Sequence, residues 1–307
     1  MSTNIQNFPG DVQIRGTTFI KANSNTNNIA IGTEAGENAQ RTLATAVGRQ
    51  AGSTNQGQSA VAVGNQAGQT SQGANSVAIG VLSGCGDQGT NSVGIGNAAG
   101  RTTQGTHSVA VGHQAGETGQ NNFAVAIGTN AGCRAQDGAV AIGGSAGRDG
   151  QGDSAVAIGG SAGCASQGTS AVAIGDAAGE TSQNNHAVAV GLNAGNNAQG
   201  GSSVAVGYAA GNNAQGASAV AIGIEAGRVS QNNFAVSVGR EAGCNAQGEH
   251  AVAMGYQAGE VAQATSGVAI GVNAGRNLQG VAATAVGYAA GQNAQSTKAT
   301  ALGREAV

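Results

Sequence analysis

A glycine closes a Val-Ala-Ile-like triplet once in every 16-residue unit along most of this chain, as at Gly32, Gly48 and Gly64. The spacing is constant except for one shorter step of 15 residues, between Gly128 and Gly143. A fixed period of this length is typical of solenoids, in which a unit buries its apolar side only by stacking on its neighbours. The closing glycines are Gly32, Gly48, Gly64, Gly80, Gly96, Gly112, Gly128, Gly143, Gly159, Gly175, Gly191, Gly207, Gly223, Gly239, Gly255, Gly271, Gly287 and Gly303.

Each unit reads A-V-A-[IV]-G-x-x-A-G-x-x-x-Q-G-x-x, with a second glycine four residues after the closing glycine. Alternating β-branched residues favour a short strand, the glycines favour turns, and glycine at this density disfavours a helix. The pattern predicts an all-β chain, folded as a parallel β-solenoid (β-roll) of about seventeen 16-residue coils over residues 28–307. With coils ~4.8 Å apart, the rod would be on the order of 80 Å long. Residues 1–27 are predicted to be an N-terminal cap or attachment segment.

The two sides of the Val-Ala-Ile strand are both apolar or small. Val and Ile point to one side, and the central Ala and the flanking Ala or Ser point to the other. Strands that are apolar on both faces are covered on both. The second strand of each coil, for example 69–72, is polar and covers one face only. We therefore expect a partner chain on the other face, and we assign the Ala side to that partner.

One glutamine recurs eight residues after the closing glycine in every coil. A ligand-binding face would need neighbouring positions to recur as well, and they vary. We therefore predict a structural ladder of stacked amides that bond from coil to coil. The predicted ladder consists of Gln40, Gln56, Gln72, Gln88, Gln104, Gln120, Gln136, Gln151, Gln167, Gln183, Gln199, Gln215, Gln231, Gln247, Gln263, Gln279 and Gln295.

Composition argues against several functional classes. Charged residues are 9% of the chain and the net charge is −3, so we expect no nucleic-acid partner. No stretch of about 18 apolar residues occurs, so we expect no membrane insertion. The four histidines form no grouping with serine and aspartate, and paired metal-ligand motifs are missing. We expect no catalytic residue, no metal site, no cofactor and no enzymatic activity.

Four cysteines stand one residue after the second glycine of their coils: Cys85, Cys133, Cys164 and Cys244. The closest pair is two coils apart, about 10 Å, and a disulfide needs Cα atoms within roughly 7 Å. Free thiols in a reducing compartment are therefore expected, and bridges between chains stay open. Since this column also contains charged residues, for example Arg101, we expect it to be exposed. Opposite charges on adjacent coils predict the pairs Arg101–Glu117 and Glu260–Arg276.

Five aromatic residues are the candidate binding residues. Tyr208, Tyr256 and Tyr288 share the column just after the closing glycine. Phe123 and Phe234 share the corner before the strand with several histidines. Exposed aromatic residues on a rod could contact a cell-surface receptor. The alternative is local packing against adjacent coils or a neighbouring chain.

Several units resemble the head repeat of trimeric autotransporter adhesins. Residues 75–80 and 91–96 read Asn-Ser-Val-Ala-Ile-Gly and Asn-Ser-Val-Gly-Ile-Gly, and related forms such as Ala-Val-Ala-Ile-Gly at 171–175 recur throughout. The resemblance spans roughly residues 28–307. It implies a left-handed β-roll, three chains around one axis and a role at a stalk tip or in a fibre. Heads of this family usually have a shorter unit than the one found in this chain.

The N-terminal residues have neither a basic region nor an apolar region, so they do not resemble a secretory signal. Residues 10–20 instead resemble the leaders of fibre proteins from large DNA viruses and phages. We therefore expect a structural fibre made in the cytosol, as part of a virion surface appendage or an extracellular filament. The last coil ends without a cap, so either the natural chain continues or this end docks onto another subunit. We expect the second, as head-to-tail stacking into filaments. The alternative is the head of a bacterial trimeric adhesin that binds a host surface or matrix.

Overall fold

A computed structural model describes the backbone of residues 12–14, 17–23, 27–136 and 138–307, and side chains over 27–134 and 138–307. The described chain is all-β, without a helix, and its coils form a parallel β-solenoid with the 16-residue turn that the repeat predicts. The coils fall into two compact units, one ending at Gly138 and one running from Ala139 to Val307. The division coincides with the 15-residue step.

The first strand of each coil is the Val-Ala-Ile segment. Alternating β-branched residues extend the backbone for three residues, and the closing glycine ends the strand. These strands are β3 (Asn28–Ile31), β4 (Thr45–Val47), β5 (Val61–Val63), β6 (Val77–Ile79), β7 (Val93–Ile95), β8 (Val109–Val111) and β10 (Val125–Ile127) in the first unit. In the second unit they are β12 (Val140–Ile142), β14 (Val156–Ile158), β16 (Val172–Ile174), β18 (Val188–Val190), β20 (Val204–Val206), β22 (Val220–Ile222), β24 (Val236–Val238), β26 (Val252–Met254), β27 (Val268–Ile270), β28 (Thr284–Val286) and β29 (Thr300–Leu302).

The second strand of each coil is the polar segment that ends at the repeated glutamine. It forms regular strands in the middle coils and isolated parallel bridges, such as Thr54 with Thr70, in the outer ones. These strands are β9 (Thr118–Gln120), β11 (Arg134–Gln136), β13 (Asp149–Gln151), β15 (Ala165–Gln167), β17 (Thr181–Gln183), β19 (Asn197–Gln199), β21 (Asn213–Gln215), β23 (Val229–Gln231) and β25 (Asn245–Gln247).

Strands stack in register, coil upon coil, within each unit. Val61 pairs with Val77 in the first unit, and Val204 pairs with Val220 in the second, both in parallel. At the start of the chain, β1 (Val12–Ile14) and β2 (Thr17–Asn23) form an antiparallel pair, and β2 pairs antiparallel with β3. The remainder of the predicted N-terminal segment, 1–11, 15–16 and 24–26, lies outside the described residues.

Alanine, glycine, serine and glutamine fill the interior of the coils. Ala60, Ala62 and Ala67 have no exposed surface, and equivalent alanines are buried in nearly every coil. The Nε2 of Gln56, on the second strand, lies 2.8 Å from the carbonyl oxygen of Thr45 on the first. A single glutamine side chain therefore spans the coil, which leaves room beside it only for small side chains such as those of alanine and serine.

The narrow interior reverses our assignment of the strand faces. We expected a partner chain to cover the Ala side, but the coil itself encloses that side. Val and Ile point outward, and Ile79 is 39% exposed. Their branched side chains do not fit beside the glutamine, so the apolar side left uncovered is the Val and Ile side.

Non-glycine residues occupy the left-handed region at three fixed positions of the coil. Gln66, Ser71 and Asn75, which lie two, seven and eleven residues after Gly64, have φ of 58°, 53° and 54°. Such values are uncommon and are most costly for β-branched residues. In the part of the chain that the structure describes, neither Val nor Ile adopts a positive φ, and Thr103 is the one β-branched residue that does.

Ser218 offers a test of this backbone constraint. Its φ is 54° and its side chain is exposed, so packing does not complicate the result. We expect Ser218→Val to lower the free energy of unfolding by about 1–2 kcal/mol, and Ser218→Gly to leave it unchanged or raise it. Ala217→Val is the matched control, since Ala217 is exposed and does not have a positive φ. Urea unfolding gives the three values, and equal losses in both valine variants would contradict the constraint.

Candidate functional site

The glutamine column connects the two strands of each coil from inside. Nε2 of Gln199 donates to the carbonyl oxygen of Val188 at 2.8 Å, and the glutamines from Gln56 to Gln295 whose side chains are described make the same bond. Gln40, in the first coil, is half-buried, and the side chain of Gln136 lies outside the described residues. The others are at most 8% exposed. A buried amide that ties both strands together has a structural role.

Amide-to-amide bonds between coils are frequent but not continuous. Gln56 Nε2 donates to Gln72 Oε1 at 3.1 Å, and Gln183 donates to Gln199 at 3.1 Å. The buried Oε1 atoms of Gln88, Gln167 and Gln215, by contrast, have no hydrogen-bond partner among the described residues. The bond across the coil is therefore the more regular of the two, and the coil-to-coil ladder is interrupted.

An exposed apolar face follows the first strands. It consists of the outward residues of each triplet, such as Ile158, Ile174 and Ile222, which are more than one-third exposed. We call this surface the apolar face. Isolated apolar residues are common on protein surfaces, but this face is a contiguous apolar patch that extends along a unit. Contiguous apolar patches of this kind mark association surfaces.

The candidate tyrosines border this face. Tyr208, Tyr256 and Tyr288 lie two residues after the last residue of their strands, and Tyr208 is 49% exposed. The guanidinium of Arg240 lies 5.7 Å from the ring centroid of Tyr256, and that of Arg304 lies 5.5 Å from Tyr288. Our sequence reasoning missed Leu192, Ile224 and Val272, which occupy the same position. The signal was available, because the column can be read directly from the repeat.

The two candidate phenylalanines lie before their strands and pack locally. Phe123 stacks on His107 one coil away, with ring centroids 5.3 Å apart and an interplanar angle of 9°. Phe234 stacks on His250 in the same way, at 5.0 Å and 6°. Phe123 nevertheless remains 66% exposed. The structure thus favours local stacking of one ring face and leaves the rest accessible.

The cysteine column is more buried than we expected. Cys164 and Cys244 are buried, and Cys244 is 3% exposed, while Cys85 and Cys133 are half-buried. The burial of these cysteines could not be predicted from the sequence, because charged residues occupy the same column in other coils and indicate an exposed position. Those charges form the predicted pairs, with 3.0 Å between Arg101 and Glu117 and 2.5 Å between Arg276 and Glu260.

Burial should make Cys244 unreactive. Loss of solvation raises the pKa of the Cys244 thiol, and nearby Arg228 offsets this only in part, so the thiolate is scarce at neutral pH. The pKa of the more accessible Cys85 is also raised by burial. In variants that retain a single cysteine, we expect Cys244 to react with a maleimide about tenfold more slowly than Cys85. Both rates should rise with pH, and equal rates for the two would contradict the buried position.

The described residues contain no group of three or more His, Cys, Asp or Glu side chains placed to hold a metal ion. Nor do they include a helix that could cross a membrane. His107 and His250 take part in the ring stacks already described, and His250 lies 3.7 Å from Glu249. The candidate functional surface is the apolar face with its bordering aromatic residues.

No model of a known protein family matches the chain, and a search of curated proteins found no match.

Proposed function

We propose that this chain is a structural fibre or filament protein without enzymatic activity. One observation supports this most strongly: the same Ala and Gln interior recurs in coil after coil. Such an interior has no room for a substrate, and its hydrogen bonds run across each coil and between coils. Nearest-neighbour stacking of identical units suits a stiff spacer.

The partner in this proposal is the chain itself, as a homotrimer. The exposed Val and Ile side chains are the support, because an apolar strand face of this length needs a cover. That the oligomer contains three chains is inferred from the resemblance to the heads of trimeric adhesins. Head-to-tail stacking of trimers into filaments, in a viral appendage or an extracellular filament, belongs to the same proposal.

Electron microscopy of the purified protein, with reductant present, tests this structural role. We expect narrow particles of uniform width, on the order of 80 Å long or in multiples of that length. Compact particles without a long axis would overturn the proposal. A mixture of lengths at one width would support end-to-end filaments, and a single length would argue against them.

A second candidate is the head of a bacterial trimeric adhesin. The exposed tyrosines and phenylalanines favour it, since aromatic residues often dominate binding energy at protein surfaces. Saturable binding of the purified protein to host cells, lost in a Phe123→Ser variant, would support this role. Binding that is absent, or unchanged by the substitution, would leave the structural role as the better account.

A further inference from the structure

Leucine, isoleucine, valine and tyrosine border the apolar face over much of the second unit. We call them the flanking column: Leu192, Tyr208, Ile224, Tyr256, Val272 and Tyr288. Each lies two residues after the last residue of its strand and is 40–50% exposed. Together they widen the apolar face by one column, from Leu192 to Tyr288.

The same position in the first unit is mostly polar. It is occupied by Thr33, Arg49, Asn65, Asn97, His113 and Thr129, and Val81 is the one large apolar residue. The apolar face of the first unit is therefore narrower. The second unit therefore differs from the first between Leu192 and Tyr288, whereas its first three coils have Gly144, Gly160 and Asp176 at this position and its last has Arg304.

Arg240 interrupts the flanking column between Ile224 and Tyr256, and its charge is satisfied locally. Its Nε lies 2.9 Å from Glu241 Oε1, and its guanidinium lies over the ring of Tyr256. Hydrogen bonds from Gln257, and then from Arg240, lower the pKa of Glu241, so the pair stays ionised at neutral pH. The stretch is thus neutral overall, which disfavours a strongly acidic or basic partner.

The area available is enough for a stable interface between proteins. Large aromatic side chains bury about 150–250 Å² each. With 36–50% exposure, the flanking column and the neighbouring strand residues of the second unit offer on the order of 800 Å², close to what one partner contributes to a standard interface. Apart from the interruption at Arg240, the column recurs once per coil from Leu192 to Tyr288. A partner that contacts all of it needs the same repeat along its length, and a second copy of the chain has it.

We propose that the flanking column of the second unit is part of the interface between copies of this chain, and that it makes the second unit the main source of association energy. This inference rests on the proposed self-association. Beyond self-association itself, the proposal identifies the part of the chain that holds the copies together. The side chains of Tyr208 and Ile224 would then pack against a neighbouring copy, while the polar column of the first unit lies at a weaker contact.

The test compares matched substitutions in the full-length chain. Ile224→Ser and Val81→Ser each remove one apolar side chain from the same position of a coil, and the two side chains are 49% and 45% exposed. Donor- and acceptor-labelled copies, labelled at the N-terminus, are mixed with reductant present, and energy transfer reports the rate of subunit exchange. We expect Ile224→Ser to raise this rate at least about tenfold and Val81→Ser to raise it less than about threefold.

A second pair guards against misfolding. Tyr208→Ser should accelerate exchange, whereas Tyr208→Phe, which keeps the ring, should not. Circular dichroism spectra identical to that of the unsubstituted chain show that each variant is folded. An unsubstituted chain that is monomeric throughout would overturn self-association and this inference with it. An oligomer whose exchange rate is unchanged by Ile224→Ser, or is raised equally by Val81→Ser, would overturn this inference and leave self-association standing.

Discussion

Replacing Gln56 by alanine should destabilise the surrounding coils by about 3 kcal/mol or more, because buried polar groups lose their partners and a cavity opens. Gln56 Nε2 donates to the carbonyl oxygen of Thr45 at 2.8 Å and to Gln72 Oε1 at 3.1 Å. Its own Oε1 accepts from Gln40 at 3.0 Å. The side chain has no exposed surface, so water cannot replace these bonds without entering the coil.

Gln58→Ala is the matched control for this prediction. Gln58 is two residues away and is exposed, so its loss should change stability by less than about 0.5 kcal/mol. Because repeat proteins open locally, hydrogen exchange of the amides in β5 and β6 is the appropriate measurement. Similar protection in the two variants would mean that the glutamine column is not what holds the coil together.

Gly143→Ala should lower the free energy of unfolding by about 3 kcal/mol or more, which is a larger loss than we expect from any substitution of an exposed residue. Gly143 has φ of 130°, a region that side chains disfavour. A Cβ at this position would overlap the carbonyl oxygen of Gly159 in the next coil. The closing glycines approach one another this closely because the first strands stack without a gap, so neither backbone can move aside.

Gly144→Ala tests the same residue change one position further along. Nothing lies within 4 Å of a Cβ at Gly144, and its φ is not positive, so this variant should be neutral or more stable by about 0.5 kcal/mol. Thermal and urea unfolding of both variants give the comparison. If Gly143→Ala unfolds at the same urea concentration as Gly144→Ala, the result would contradict the close approach of the closing glycines in adjacent coils.

The strands and their stacking could be predicted from the sequence, because each depends on a local signal that recurs. Alternating β-branched residues place the first strand, and the constant period sets the register, as in the pairing of Val61 with Val77. The recurrent glutamine also marks the second strand. Each local preference for a strand or a turn is weak by itself, but the same preference recurs in every coil, so the prediction is reliable.

The orientation of the strand could not be predicted, because both of its sides are apolar. What decides it is the width of the coil, which follows from the reach of Gln56 across to Thr45. The three positions with positive φ could not be predicted either, because the residues found there, such as Gln66, Ser71 and Asn75, have no common side-chain chemistry. The lack of Val and Ile in those columns was the available signal. Burial of Cys244 depends on neighbouring coils, and no local pattern encodes it.

Part of the exposed column beside the apolar face could be predicted from the sequence. Tyr208, Tyr256 and Tyr288 were predicted from their shared column, and the structure places them beside the apolar face. The aliphatic members of the same column lack the aromatic ring that distinguishes the tyrosines in the sequence. Phe123 and Phe234 are exposed, as their corner position predicts, but their stacking on histidines one coil away depends on the register between coils.

The absolute mass of the purified protein by light scattering, with reductant present, is the most direct test of the central claim that copies of the chain cover the apolar face. A mass near three times 29.2 kDa is the predicted result. A larger mass with a spread of lengths would add end-to-end filaments to the same account. A homogeneous mass of 29.2 kDa would contradict it, because the Val and Ile side of every coil would then face water.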